Sequence, residues 1–167
     1  MLYSICIFNY PSTPEIYTRS LNDALPISEG KAKSLPFERI TQEFPASLAL
    51  AADTIVVHPK DGAFGKPIDS ADARRMMIAL SGGIHYVITG VALIDPGTGK
   101  NASGFACSAV EFKPISDNEL DQYIASGSWA GKAGGYGIQD AAADFVAGLN
   151  GRLDNVIGLP MSVVYEL

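Results

Sequence analysis

The chain is poor in the residues from which many kinds of site are built. Among 167 residues there are two cysteines and two histidines. Cys6 and Cys107 form no metal spacing of the C-x-x-C kind, so free thiols in a reducing compartment are expected. His58 stands beside a turn proline and reads as a surface residue. His85, inside an apolar run, reads as a structural histidine, and no Ser-x-Gly elbow accompanies either for acyl transfer. Positive charge is also scarce, with 12 basic residues against 18 acidic and a net charge of -6. That balance repels a polyanion and excludes a general nucleic-acid binder, but not a small anion held by a few lysines and a divalent cation. No apolar run approaches the ~18 residues of a membrane span. The first residues lack a basic n-region and are broken by Asn9 and Pro11, so a cytoplasmic protein is expected. The one glycine-rich stretch lacks Gly-Lys-Ser/Thr, and no G-x-G-x-x-G opens a helix after a strand, which removes the commonest phosphate-binding loops.

What is present is a globular composition, 47% hydrophobic and 18% charged, at a length suited to one domain with a real core. The stretch Leu48-Ala49-Leu50-Ala51-Ala52-Asp53-Thr54-Ile55-Val56-Val57 reads as a buried strand with a carboxylate and a hydroxyl at its centre. An ionised Asp there is costly unless paired, hydrogen-bonded or metal-bound, so the position marks a site rather than a lapse.

Around this strand the chain divides as follows. Residues 1–27 hold a possible strand at Leu2–Phe8 and are then cut up by Pro11, Pro14 and Pro26. Ser28 to Lys33 closes a helix, and Leu35 to Glu43 reads as a polar connector. Pro59-Lys60-Asp61-Gly62 is a turn, and Pro67 makes Gly65-Lys66-Pro67 a rigid corner that gives Lys66 a defined direction. Asp69 or Ser70 caps a helix whose apolar face is Ala73, Met76, Met77 and Leu80. Ile84–Ile94 and Ser103–Phe112 form a hairpin about Asp95-Pro96-Gly97-Thr98-Gly99. Ser116 to Glu119 is a capping box opening a helix with Leu120, Tyr123 and Ile124 on its apolar stripe, stopped by Gly127. The glycine-rich loop, residues 130–139, precedes a strand at Phe145–Leu149 and a terminal helix with Pro160 in its first turn. Partial alternation of strands and helices, with a hairpin among them, predicts an α/β fold with a mixed sheet.

Three features converge on one chemistry. Asp53 suits Mg²⁺ coordination or acceptance of a proton from water. Lys31, Lys66 and Lys132 each lie near a glycine. The loop from Ala133 to Gln139 offers backbone N–H groups and an amide that both donates and accepts. Together they fit a phosphorylated substrate with a hydrogen-bonding ring.

Five blocks then come in order: Ala52-Asp53-Thr54-Ile55-Val56-Val57; Gly65-Lys66-Pro67; Leu80-Ser81-Gly82 with His85, Val87 and Thr89-Gly90; Lys132-Ala133-Gly134 with Tyr136-Gly137-Ile138-Gln139; and Asn155-Val156-Ile157-Gly158-Leu159-Pro160. From about Lys31 to the C-terminus this series closely resembles the Maf family of nucleoside triphosphate pyrophosphatases, the septum-formation-inhibitor-like proteins. The resemblance implies a Maf/ITP-pyrophosphatase-like fold, an elongated mixed sheet flanked by helices, in two lobes with a central cleft, and a homodimer. It also implies hydrolysis of a nucleoside triphosphate to the monophosphate and pyrophosphate with a divalent metal, Mg²⁺ or Mn²⁺. By the same resemblance Asp53 is the proton acceptor, Thr54 and Gln139 tune base choice, and Lys66 and Lys31 contact phosphates. Ala-Asp-Thr with Gly-Ile-Gln looks like the branch acting on dTTP and UTP, with modified pyrimidine nucleotides as further candidates, rather than the branch preferring 7-methyl-GTP.

One departure stands out. The family opens with a strand followed by Ser-x-Ser-Pro-Arg-Arg, whose arginines wrap the phosphates. Ser12-Thr13-Pro14-Glu15 is a faint echo and Arg19 stands alone. Asp23-Ala24-Leu25-Pro26-Ile27 reads like a translated sequencing adaptor. The expectation is an unmatched, artefactual segment at residues 1–27, a single Maf-like domain at 28–167, and weakened turnover in the chain as written. Two other readings stand beside the leading one: a nucleotide-binding regulator of septum formation, and an ITP/XTP pyrophosphatase, whose motifs fit less well.

Overall fold

The computed structural model describes residues 26–34, 36–43 and 47–167. The expected central strand is β1 (Ala49–His58). Successive strand side chains point to opposite faces: Val56 goes to one face, Ile55 and Val57 to the other, and all three are buried. The strand is covered on both sides at these residues, which suits a continuous apolar run, whereas Leu50 is exposed and Ala51 to Thr54 are half-buried. A turn at residues 59–61 sends the chain back as β2 (Gly62–Phe64), a short strand that takes in the last residue of the expected turn and the two residues after it. The hairpin folds Phe64 over His58, their rings stacked at 6.0 Å, so the His58 side chain is only 16% exposed rather than a surface group.

β3 (Ile84–Ile94) pairs with β1 from Ala49↔Ile94 to Val57↔Tyr86. It then forms the expected hairpin with β4 (Asn101–Phe112), and β5 (Val146–Asn150) lies along β4. The sheet order is β2-β1-β3-β4-β5. The α/β class is as expected, and every pairing among the described residues is antiparallel. The strand expected at Leu2–Phe8, Cys6, the Ser12–Glu15 echo and Arg19 lie outside the described residues.

A helix, α1, covers residues 26–33 and sets Ala32 against Ala92 and Ile94. The stretch read as a polar connector is instead a helix, α2 (Phe37–Glu43). It has too few apolar residues to show a period. Its local supports are the Pro36 carbonyl accepting from the Ile40 N–H and an Arg39–Glu43 pair one turn apart. α3 (Ser70–Leu80) starts where Asp69 accepts from the Asp72 N–H, and buries Ala73, Met76, Met77 and Leu80 as the spacing predicts. α4 (Asp117–Ser126) has the full Ser116–Glu119 capping box and ends at Gly127. Two short helices close the chain, α5 (Leu153–Ile157) and α6 (Met161–Glu166), the latter directly after Pro160. α5 was not foreseen, because five residues make little more than one turn and carry no readable period. No helix among the described residues is long and apolar enough to cross a membrane.

α3, α4 and the glycine-rich loop cover the sheet face that carries Val56, Val87, Val110 and Phe112, forming the larger core. His85 belongs to it. Its ring meets Phe112 and Tyr136 edge-on, and Nε2 lies 2.7 Å from the Tyr136 hydroxyl. Burial, with a lesser push from His58, lowers its pKa from 6.5 to about 3. The unfolded chain therefore binds a proton that the folded chain refuses between those two values. Stability is complete above about pH 6.5 and falls as pH drops towards 3, with a slope of up to about 1.4 kcal/mol per pH unit from this one group. His85→Gln, which keeps a hydrogen-bonding partner for Tyr136, is expected to flatten that slope in urea unfolding at pH 4 to 7. Parallel wild-type and variant slopes would show that the ring is protonated in the fold. Cys107, half-buried in β4, is a free thiol whose pKa desolvation pushes up to about 12.

Candidate active site

Along Ala49–Ile55, β1 has β3 on one side and no strand on the other among the described residues. A cavity of about 420 Å³ wraps that edge. Lys31, Asp53, Thr54, Lys66, Lys132 and Gln139, all predicted from sequence, line it together. Strand alternation places Thr54 on the face of Val56 and Asp53 on the face of Ile55. The carboxylate and the hydroxyl thus reach one cavity from opposite sides of a single strand edge.

Asp53 sits mid-strand opposite Gly90, so it does not cap a turn. Its charge is met by Lys31, whose ammonium reaches it from the last turn of α1. The Asp53 side chain remains 19% exposed, enough for the pair to keep contact with water and escape most of the burial penalty. Lys66 projects from the corner before the buried Pro67 and has no ion pair among the described residues. Lys132 is differently placed from the free cation expected of it. Its ammonium lies 2.5 Å from an Asp140 oxygen and donates to the Ser128 carbonyl at 2.6 Å, so it clasps the glycine-rich loop. Asp140 itself lines the cavity and was missed, since nothing marks a loop aspartate as a partner until the loop closes. Three lysines against two aspartates leave the lining with an excess of positive charge.

The loop is fastened where its sequence is richest in glycine. Gly134 has φ +66°, and a Cβ there would stand 2.8 Å from Cγ2 of Val56. Its N–H donates to the Gly65 carbonyl at 2.9 Å, tying the loop to both β1 and the Lys66 corner. Tyr136, also in the lining, keeps a neutral phenol because burial holds its pKa well above the ordinary value. At the far end, just after α5, Gly158 has φ +114°, and a Cβ there would stand 3.2 Å from Thr54 Oγ1. Behind Thr54 stand two residues to which sequence reasoning assigned no role. Thr89 lies directly opposite it in β3, the two hydroxyl oxygens 2.9 Å apart. Asn155 of α5 is wholly buried and donates through Nδ2 to the Val87 carbonyl and Ser108 Oγ.

The cavity thus brings together a carboxylate, a polar amide and a lysine, Lys66, that has no ion pair among the described residues. A family model described as Maf-like protein matches residues 9–167. A dTTP/UTP pyrophosphatase of Pyrococcus horikoshii is 37% identical over 158 residues, covering 92% of this chain and 83% of that one. Proteins of the same name from Desulfitobacterium hafniense and Salinibacter ruber are 47% and 44% identical, over 71% and 76% of this chain. The chain spans 53% and 62% of the lengths of those two. Because the family match takes in β1, the Lys66 corner, the glycine-rich loop and α5 as one continuous unit, the chain belongs to the Maf-like protein family.

Proposed function

We propose that this chain is a nucleoside triphosphate pyrophosphatase that hydrolyses dTTP and UTP to the monophosphate and pyrophosphate. The observation that carries the reading is the meeting of Asp53, Lys31 and Lys66 with Thr54 and Gln139 on one cavity. The names of the similar proteins support it. Asp53 takes a proton from the attacking water as the new P–O bond forms and the bond to the departing pyrophosphate breaks. Lys66 and Lys31 oppose the charge of the phosphate tail. Thr54 and Gln139 lie against the base.

The donor set bears on the metal. No group of three His, Cys, Asp or Glu that could hold an ion exists among the described residues. The cavity instead offers the hard oxygens of Asp53, with Asp140 nearby on its wall. One or two carboxylates completed by substrate phosphates are the usual environment of Mg²⁺, so the residues fit a cation that arrives with its nucleotide. Asp53 would hold Mg²⁺ or Mn²⁺, which would supply neutralisation of phosphate charge. The same reading places the activity in the cytoplasm.

The test is a pyrophosphate-release panel over dTTP, UTP, dCTP, GTP and 7-methyl-GTP with and without Mg²⁺. Release is expected from dTTP and UTP, with the cation present. Preferential turnover of 7-methyl-GTP would overturn the base assignment. Nucleotide binding with no release from any triphosphate would favour a binding protein without chemistry.

A further inference from the structure

Thr54 ends a chain of hydrogen bonds whose direction is dictated by its inner end. The main-chain oxygen of Asn155 can only accept. Thr89 Oγ1 lies 2.9 Å from it and owns a single hydrogen, which therefore points at Asn155. With that hydrogen committed, Thr89 can only accept from Thr54, 2.9 Å away. The hydrogen of Thr54 is thus turned into the protein, and its oxygen shows the cavity lone pairs alone.

The polarity is held in place. Thr89 is wholly buried, so no water replaces its partner. Asn155 is anchored by both Nδ2 donations, and its carbonyl also receives the Gly158 N–H at 3.0 Å. Reversing the chain would take a buried hydrogen bond from the Asn155 carbonyl. Gln139 has no such constraint. It is exposed, has no hydrogen bond among the described residues, and a half-turn of its amide exchanges donor and acceptor. Gln139 alone can therefore face uracil or cytosine equally well, and the discrimination must come from a group of fixed polarity.

We propose that Thr89 and Asn155 are positioning residues that hold Thr54 as an obligate hydrogen-bond acceptor towards the nucleobase. An acceptor there selects a ring N–H, as in the imide of uracil or thymine. It opposes cytosine, whose corresponding ring nitrogen is a lone pair. This rests on the nucleotide reading above and supplies the physical basis of its base preference.

Thr89→Val keeps the shape but removes the acceptor for Thr54, whose hydroxyl is then free to donate into the cavity. Thr89→Ser keeps the relay. Calorimetric titration with the non-hydrolysable α,β-imido analogues of dUTP and dCTP, in Mg²⁺, reads binding independently of turnover. The wild type and Thr89→Ser are expected to prefer the uracil analogue by about tenfold or more. Thr89→Val is expected to lose about tenfold of that preference, in part by binding the cytosine analogue more tightly than the wild type does. A merely structural role would not produce that gain. Should Thr89→Val fail to fold, Thr54→Val removes the acceptor itself and must abolish the preference. Undiminished preference in whichever of the two variants folds overturns the relay while leaving the nucleotide reading intact. A wild type that binds both analogues equally also overturns it, and one that binds neither takes down the nucleotide reading with it.

Discussion

Asp53→Asn is expected to reduce pyrophosphate release from dTTP and UTP by at least ~10²-fold, since a positioned general base contributes typically that much or more. The substitution preserves volume and removes the charge to which the proposed mechanism assigns both the proton and the cation. It leaves Lys31 without its partner, but that lysine is 51% exposed and its ammonium remains solvated. A pair so open contributes on the order of 1 kcal/mol or less, so the urea midpoint should scarcely move. Loss of turnover with an unchanged midpoint separates chemistry from folding. Turnover within a few-fold of wild type would mean that another group takes the proton, and Asp140 would be the next candidate on that wall.

Gly134→Ala is expected to cost the fold much of its stability. A methyl group at φ +66° is strained in any L-residue, at roughly 1 to 2 kcal/mol. It would also meet Cβ and both methyl carbons of Val56 at 2.8 to 3.0 Å. Val56 is 2% exposed and packed in the larger core, so it has nowhere to move. Overpacking of this kind costs typically 1 to 3 kcal/mol more, and the total should appear in urea unfolding as a loss of about 3 kcal/mol. The substitution should act on the site as well. Gly134 pins the loop that carries Lys132 and Gln139, and its N–H holds the Lys66 corner, so KM for dTTP should rise with the loss of stability. Wild-type stability in Gly134→Ala would show that the loop does not rest on β1.

Both expectations depend on features of different legibility. The helical face of Ala73, Met76, Met77 and Leu80 could be read because a helix repeats within a few residues and its burial follows the same repeat. The capping box at Ser116 and the hairpin about Asp95–Gly99 were equally local. α2 escaped because its supports are a carbonyl one turn back and an ion pair on an exposed surface, neither of which leaves an apolar period. β2 escaped because three residues cannot show alternation apart from the turn before them.

By itself the sequence determined that an acid lies inside an apolar strand, that three lysines and a glutamine accompany it beside glycines, and which elements carry them. Those are properties of residue type and near neighbours. Only the tertiary structure decided that Lys31 neutralises Asp53 while Lys132 serves Asp140, and that of these three lysines Lys66 is left without a counter-ion among the described residues. It alone decided that Asp53 and Thr54 enter the cavity from opposite faces of β1, and that Thr54 turns its hydrogen inward through Thr89 to Asn155. Such outcomes join residues from 8 to 66 positions apart, and they depend on strand register and on the polarity of each buried acceptor, neither of which a local pattern encodes.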